Sequence, residues 1–398
     1  MKLTSLETIR PTVQPNVCFV RLHSEAGLIG LGESFYAADS VEAYLHEAVA
    51  PLLTGLSDPS PQAVAALLAP YTGYQGGGVE QRANGAVDVA LWDLLGHTSD
   101  LSLARLLGGP VRQSIRTYNT CAGSRYISSS VRQTSANWGL TQTAQPYEDL
   151  EAFLTRPGEL ARELLDEGIT AMKIWPFDQA AERSGGLDIG VADLRKAIGI
   201  VEAIRSEVGS AMEVMIELHA LWNRLAATKI ARALADVAPY WIEDPLRPDA
   251  ADAYRRLRDD IDVPIAAGET CVGRRGFLPL LTGGSIDIVT VDIGWTGGLT
   301  EAVKVSSLAD AVGVPLAPHD CTGPVSLAVS AHLACSQPNG LIQESSRAFV
   351  RTWYPEVAEG LPKIENGVIN LSPAPGHGVR LRDDFTEGPA ASRRVSRL

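Results

Sequence analysis

Glu217, Glu243 and Glu269 stand 26 residues apart, and each closes a short apolar run: Val214-Met-Ile, Tyr240-Trp-Ile and Pro264-Ile-Ala-Ala-Gly. The rhythm continues to Asp292, His319 and Glu344 at gaps of 23, 27 and 25 residues. A buried strand and the helix that returns the chain to the next parallel strand take roughly 30 residues. Eight β-rich runs carry the pattern, at 115–121, 171–175, 213–218, 240–242, 265–267, 286–291, 314–317 and 341–343. Helical stretches with periodic Ala and Leu separate them, at 158–167, 191–207, 226–235 and 299–311. Alternating strands and helices in eight units predict an α/β fold, a (β/α)8 TIM-type barrel, over residues 114–348.

Residues 1–113 read differently. Strand-like runs at 17–22 and 27–33 are followed by helical patterns at 40–53, 64–68 and 85–95. They predict an α+β capping domain that ends near Leu106-Leu-Gly-Gly-Pro110. Residues 349–398, with Gly and Pro turns and short strand-like pieces, are expected to return to this cap.

The charge balance narrows the partners. A net charge of −13 argues against nucleic acid and against an anionic membrane surface. No apolar run approaches membrane-spanning length. Five scattered cysteines show no zinc or redox spacing, and the N-terminus shows no signal-peptide pattern, so a cytoplasmic enzyme with reduced thiols is expected.

In a barrel of this kind the reacting groups come from the C-terminal ends of the strands. Those ends supply Lys173, Glu217, His219, Glu243, Glu269, Asp292, His319 and Glu344. Three clustered carboxylates suit a hard divalent ion such as Mg²⁺. His219 lies two residues after Glu217, and strand geometry puts positions i and i+2 on one face.

Taken in order, several short pieces resemble the enolase superfamily, in its mandelate racemase-like branch. They are Ala90-Leu-Trp-Asp-Leu-Leu-Gly, Ala171-Met-Lys-Ile, Ile216-Glu-Leu-His, Trp241-Ile-Glu-Asp-Pro and Ala267-Gly-Glu-Thr, then Asp292 with Gly297-Gly-Leu-Thr-Glu-Ala, Pro318-His-Asp and Gln343-Glu. The resemblance spans nearly the whole chain. It implies Mg²⁺ held by Glu217, Glu243 and Glu269, a small carboxylate substrate, and removal of the proton α to that carboxylate. It implies His319 as the base with Asp292 as its partner. Glu344 is implied as a protonated acid, its pKa raised by a neighbouring carboxylate. Lys173 matches the first lysine of a Lys-x-Lys motif, but Trp175 replaces the second, the usual base on the opposite face. Glu217 stands where the family usually has Asp. Family members with an acid-x-His at the strand end of Glu217 and His219 are sugar-acid dehydratases, in which that His protonates the departing 3-hydroxyl.

The resulting expectation is a Mg²⁺-dependent dehydratase of an aldonate or aldarate that forms a 2-keto-3-deoxy acid through an enediolate. Trp175, Asn223 and the loop Ser34-Phe-Tyr-Ala-Ala-Asp39, with Tyr36 in it, are expected to meet the substrate. Residues 74–78 resemble a second lid loop. The rival readings are an epimerase, racemase or lactone cycloisomerase using the same enediolate, and a non-catalytic carboxylate-binding barrel. A homo-oligomer, dimer or octamer, is implied by the resemblance.

Overall fold

The computed structural model describes residues 2–69, 77–129, 133–140 and 147–398. The cap is an antiparallel sheet of β1 (Leu3–Pro11), β2 (Val17–Ser24) and β3 (Ile29–Phe35). Strand Ala391–Arg397 adds to the free edge of β1, so the chain's last segment returns to the cap. The long helix Val79–Ser99 lies across β3 at very short range. A Cβ on Gly30 or Gly32 would collide with the backbone carbonyls of Ala90 or Ala86, which explains the Gly-x-Gly alternation in β3. β1 is not legible as a strand in the sequence, because the run Thr4-Ser-Leu-Glu-Thr-Ile is largely polar and one of its two pairing partners lies at the far end of the chain.

The barrel strands run parallel in chain order: β4 (Ser114–Thr120), β5 (Ala171–Ile174), β6 (Glu213–Glu217), β7 (Trp241–Glu243), β8 (Ile265–Ala267) and β9 (Ile288–Val289). The seventh position is held by single parallel bridges from Leu316 to Val289 and to Gly340. β10 (Gln343–Ser345) then pairs with β4 and completes the ring. The expected strand at 314–317 is reduced in this way because Pro315 and Pro318 have no N–H to give to a ladder. One side chain from each of the eight positions fills the interior: Tyr118, Ala171, Met215, Trp241, Ala266, Ile288, Ala317 and Ile342. Large and small residues mix in this layer, so the barrel is a packed core, not a pore.

Two cap carboxylates dock the cap onto the barrel. Glu33 accepts from the Val325 N–H (3.0 Å) and the Ser326 hydroxyl (2.9 Å), at the N-terminus of helix Pro324–Ser336. Asp88 accepts from the Thr300 N–H (2.9 Å), at the start of helix Leu299–Ala311. Each satisfies helix N–H groups that have no partner within their own helix. Burial pushes both carboxyls up, to about 7 each.

Candidate active site

Glu217 and Glu243 end β6 and β7, and Glu269 lies just past β8, so all three open on the same rim. One ligand oxygen from each lies within 4.8 Å of the others, and all three side chains are buried. Glu217 Oε1 accepts from the N–H groups of Leu218 (3.0 Å) and His219 (2.7 Å), while Trp241 Nε1 donates to Glu243 Oε2 (2.9 Å). Among the described residues Glu243 Oε1 is buried without a hydrogen bond or an ion pair, and Glu217 Oε2 meets only the Lys173 ammonium. Hard oxygen donors, excess negative charge and an unsatisfied carboxylate oxygen fit a divalent cation. Burial pushes Glu243 up to about 8 against the pull of Lys173, as expected where several acids share one site.

The cation at the base of the cluster is Lys173. Its Nζ lies 3.2 Å from Glu217, 3.2 Å from Glu243 and 2.9 Å from Glu344. Burial alone would lower this amine, but Glu243 and Glu344 outweigh it and hold it charged, well above the usual lysine range. The same geometry gives Glu344 a charged neighbour: burial would raise this acid, while Lys173 and His319 pull it down, to about 2. Glu344 further accepts from the Thr120 hydroxyl and, at 2.9 Å, from the Asp320 N–H.

Two histidines face the cluster, each backed by an aspartate. His319 Nδ1 is 2.8 Å from Asp292 Oδ2, and its Nε2 is 3.3 Å from Glu269. Asp292 Oδ1 is fixed in turn by the Trp295 N–H (2.8 Å). Burial works to lower His319, but Glu269, Glu344 and Asp292 together raise it well above the usual histidine range. His219 Nδ1 is 2.8 Å from Asp178 Oδ2. Burial opposes the charge on His219 too, and Asp178 and Glu217 overcome it, carrying the ring to about 10. β6 ends at Glu217, so His219 does not reach the site by strand alternation. It sits in a left-handed turn with Ala220, at φ 47° and 55°. Strained backbone of this kind persists only where the surroundings over-determine it.

Lys173, Glu217, His219, Glu269, His319 and Glu344 line a cavity of about 30 Å³ with Thr120, Tyr126, Trp175, Tyr36, Trp295 and Cys321, room for a water or two. Trp175 packs against Phe153 and Tyr126 (5.2 Å each) and edge-on to His219 (5.9 Å). Tyr36 reaches the cavity from the cap through a left-handed backbone, φ 74°. A wider groove of about 770 Å³ borders Asp149, Glu163 and Glu167. Those carboxylates are engaged by Arg347 and Arg351, so size does not mark the reactive site.

Asn223 departs from expectation. Its carbonyl accepts from the Ala226 N–H (2.9 Å) and its amide donates to Leu187 O (2.7 Å), capping helix Arg224–Leu234 outside the cavity. Residues 74–76 of the expected second lid loop lie outside the described residues. Sequence reading missed Asp178, Thr120 and Tyr126. The signal available for Asp178 was its position at the start of helix Asp178–Ser184, four residues past β5 at the reactive end of the barrel. His23, His46, His97, His332 and His377 all serve structural contacts away from the cavity.

Residues 157–385 match the family described as enolase C-terminal domain-like, and residues 4–108 match the mandelate racemase/muconate lactonizing enzyme N-terminal domain. A D-galactonate dehydratase of Ralstonia nicotianae is 30% identical over 398 residues, covering 96% of this chain and 92% of the relative. A D-gluconate/D-galactonate dehydratase of Picrophilus torridus is 30% identical over 302 residues, covering 76% of this chain and 69% of the relative. The crystal structure of a mandelate racemase-subgroup enolase from Agrobacterium tumefaciens is 41% identical, with a TM-score of 0.88, covering 100% of this chain and 99% of that one.

Proposed function

The chain belongs to the enolase superfamily, in its mandelate racemase-like branch, and is an enzyme of the dehydratase type; we propose that it acts with Mg²⁺ on a sugar acid, an aldonate or aldarate, to give a 2-keto-3-deoxy acid. The observation that supports the reading is the pair of aspartate-backed histidines, His319–Asp292 and His219–Asp178, whose rings share one cavity with Glu217 and Glu269 of the glutamate triad. A dehydration needs one base and one acid, and two histidines divide those tasks. An epimerase needs a proton carrier on each face of the planar intermediate. By resemblance to the Lys-x-Lys motif, Trp175 stands where the second-face lysine would be, which disfavours that chemistry unless Lys173 itself reaches the α-carbon.

Glu217, Glu243 and Glu269 would hold the ion. Mg²⁺ supplies positive charge at the substrate carboxylate, which makes the α-proton removable. His319 takes that proton through Nε2 while Asp292 holds Nδ1. A cation held by the triad would weaken the pull of Glu269 that keeps His319 protonated, which would leave the ring free to act as a base. The Lys173 ammonium stabilises negative charge gathering on the substrate's carboxylate end. His219 then gives a proton to the 3-hydroxyl as its C–O bond breaks. Water leaves, and the enol that remains tautomerises to the 2-keto acid.

The reading is tested with His319→Asn and His219→Asn on a panel of acid sugars in D₂O. His319→Asn should lose both α-proton exchange and keto-acid formation. His219→Asn should keep exchange and lose dehydration by roughly 10²–10⁴-fold. Exchange in the wild type with no loss of oxygen from the product would transfer the assignment to epimerisation or cycloisomerisation.

A further inference from the structure

Arg82, in the first turns of helix Val79–Ser99, carries a charge that no described residue answers. Its guanidinium carbon lies 5.5 Å from the ring centre of Tyr36 and 5.4 Å from that of Trp295. Both rings line the reactive cavity, and Trp295 is tilted over the His319 imidazole at 5.0 Å. The neighbouring Gln81 donates to Thr296 O (3.0 Å), so this end of the helix rests on the barrel rim. Among the described residues Arg82 Nε is buried with no acceptor, and no carboxylate is within ion-pair distance of the guanidinium. Residues 70–76, 130–132 and 141–146 contain no Asp or Glu, so those segments cannot supply one either.

Other arginines withdrawn from solvent meet partners at their terminal nitrogens. Arg347 forms a forked pair with Asp149, Arg10 pairs with Asp39 although its Nε is also buried without an acceptor among the described residues, and Arg112 and Arg205 each donate to several carbonyls. The Arg82 side chain is partly withdrawn from water, and two aromatic faces offset only part of the hydration it loses. Its planar fork matches a carboxylate or phosphate edge. At the cavity base, Lys173 is already shared among three glutamates. In a chain of net charge −13, a second anionic group on the substrate would meet repulsion unless the cap supplied a cation.

We propose that Arg82 is the subsite for an anionic group at the far end of the substrate, so that the enzyme takes acid sugars charged at both ends. The proposal rests on the sugar-acid reading above and narrows it. The substrate's first carboxylate goes to the rim of the glutamate triad. Its other end points toward the cap, where Tyr36 and Trp295 present the guanidinium. A terminal carboxylate (an aldarate) and a terminal phosphate (a phosphorylated aldonate) share the required chemistry.

The test compares galactarate with galactonate, glucarate with gluconate, and 6-phosphogluconate with gluconate, on the Mg²⁺-loaded wild type, Arg82→Gln and Arg82→Lys. The expected result is a preference of at least about tenfold in kcat/KM for a doubly charged acid, carried by KM. Arg82→Gln should remove most of that preference, and Arg82→Lys should restore part of it by keeping charge without the fork. Whether carboxylate or phosphate gives the larger preference identifies the natural end group. A wild type indifferent to charge at the far end, or an Arg82→Gln loss equal for singly and doubly charged acids, overturns the proposal. If none of these acids is turned over, the dehydratase reading fails separately. Calorimetric binding of the same acids then decides the subsite: tighter binding of the doubly charged member, lost in Arg82→Gln, supports it, and equal binding overturns it.

Discussion

Lys173→Met removes the ammonium that three buried carboxylates share. Its Nζ lies 3.2, 3.2 and 2.9 Å from Glu217, Glu243 and Glu344, and none of the four side chains reaches solvent appreciably. Removing one partner of a buried ion pair costs about 3–5 kcal/mol, because the remaining charge is stranded. Unfolding entropy of about 2.1 cal/mol/K per residue, scaled to this chain length, converts that into a fall in Tm of about 4–6 °C. The effect depends on pH and has a definite sign. Glu243, pushed up to about 8 in the folded state, contributes stability that is fully present below the ordinary carboxylate range and lost as pH rises through about 8. Without Lys173 the stranded acids should protonate more readily, so the deficit is smaller at pH 6 than at pH 8. An ion that binds only the folded protein stabilises wild type and variant alike, and it narrows the deficit only by its extra affinity for carboxylates freed of the ammonium, about 1.4 kcal/mol for each tenfold. Melts followed by circular dichroism at a fixed scan rate, in EDTA and in Mg²⁺, should therefore show the largest deficit in EDTA at pH 8. A variant as stable as the wild type in EDTA, or a deficit indifferent to Mg²⁺ and to pH, would refute the reasoning.

Asp178→Asn should loosen the His219 ring and lower dehydration by about 10²-fold while α-proton exchange persists, as read by NMR in D₂O. Glu33 and Asp88 have folded pKa values of about 7, above their unfolded values, so the stability they contribute is lost as pH rises through 7. Between pH 6 and pH 8 the wild-type Tm should fall, and Glu33→Gln with Asp88→Asn should flatten that slope; an unchanged slope would remove the cap carboxyls from the explanation. Asn223→Ala should cost about 1 kcal/mol as a lost helix cap and leave KM unaltered. A raised KM would return Asn223 to the substrate.

The barrel was legible because its period survives in the chemistry of the strand ends. Every rim position from β5 onward carries an ionisable residue, and composition alone would scatter them. The glutamate triad follows from that rhythm, and the family resemblance supplied the pairing of His319 with Asp292. The loops between those ends do not obey the rhythm. Asp178 meets His219 across 41 residues, and Tyr36 was reached through the resemblance of its loop, not through any local pattern. The charge state of Glu344 depends on where Lys173 points, and spacing carries no information about that. Asn223 was open to a better reading, since an Asn directly before a helical run is a helix-cap signal. The seventh strand was placed correctly in order and overestimated in length, because two prolines thin its ladder.

The most direct test of the dehydratase assignment is formation of a 2-keto acid from aldonates and aldarates by the purified protein, with Mg²⁺ and then with EDTA. Keto acid appearing in step with lost substrate, abolished by EDTA and restored by Mg²⁺, is the predicted result. A product that keeps all its oxygen, or turnover indifferent to EDTA, would contradict it.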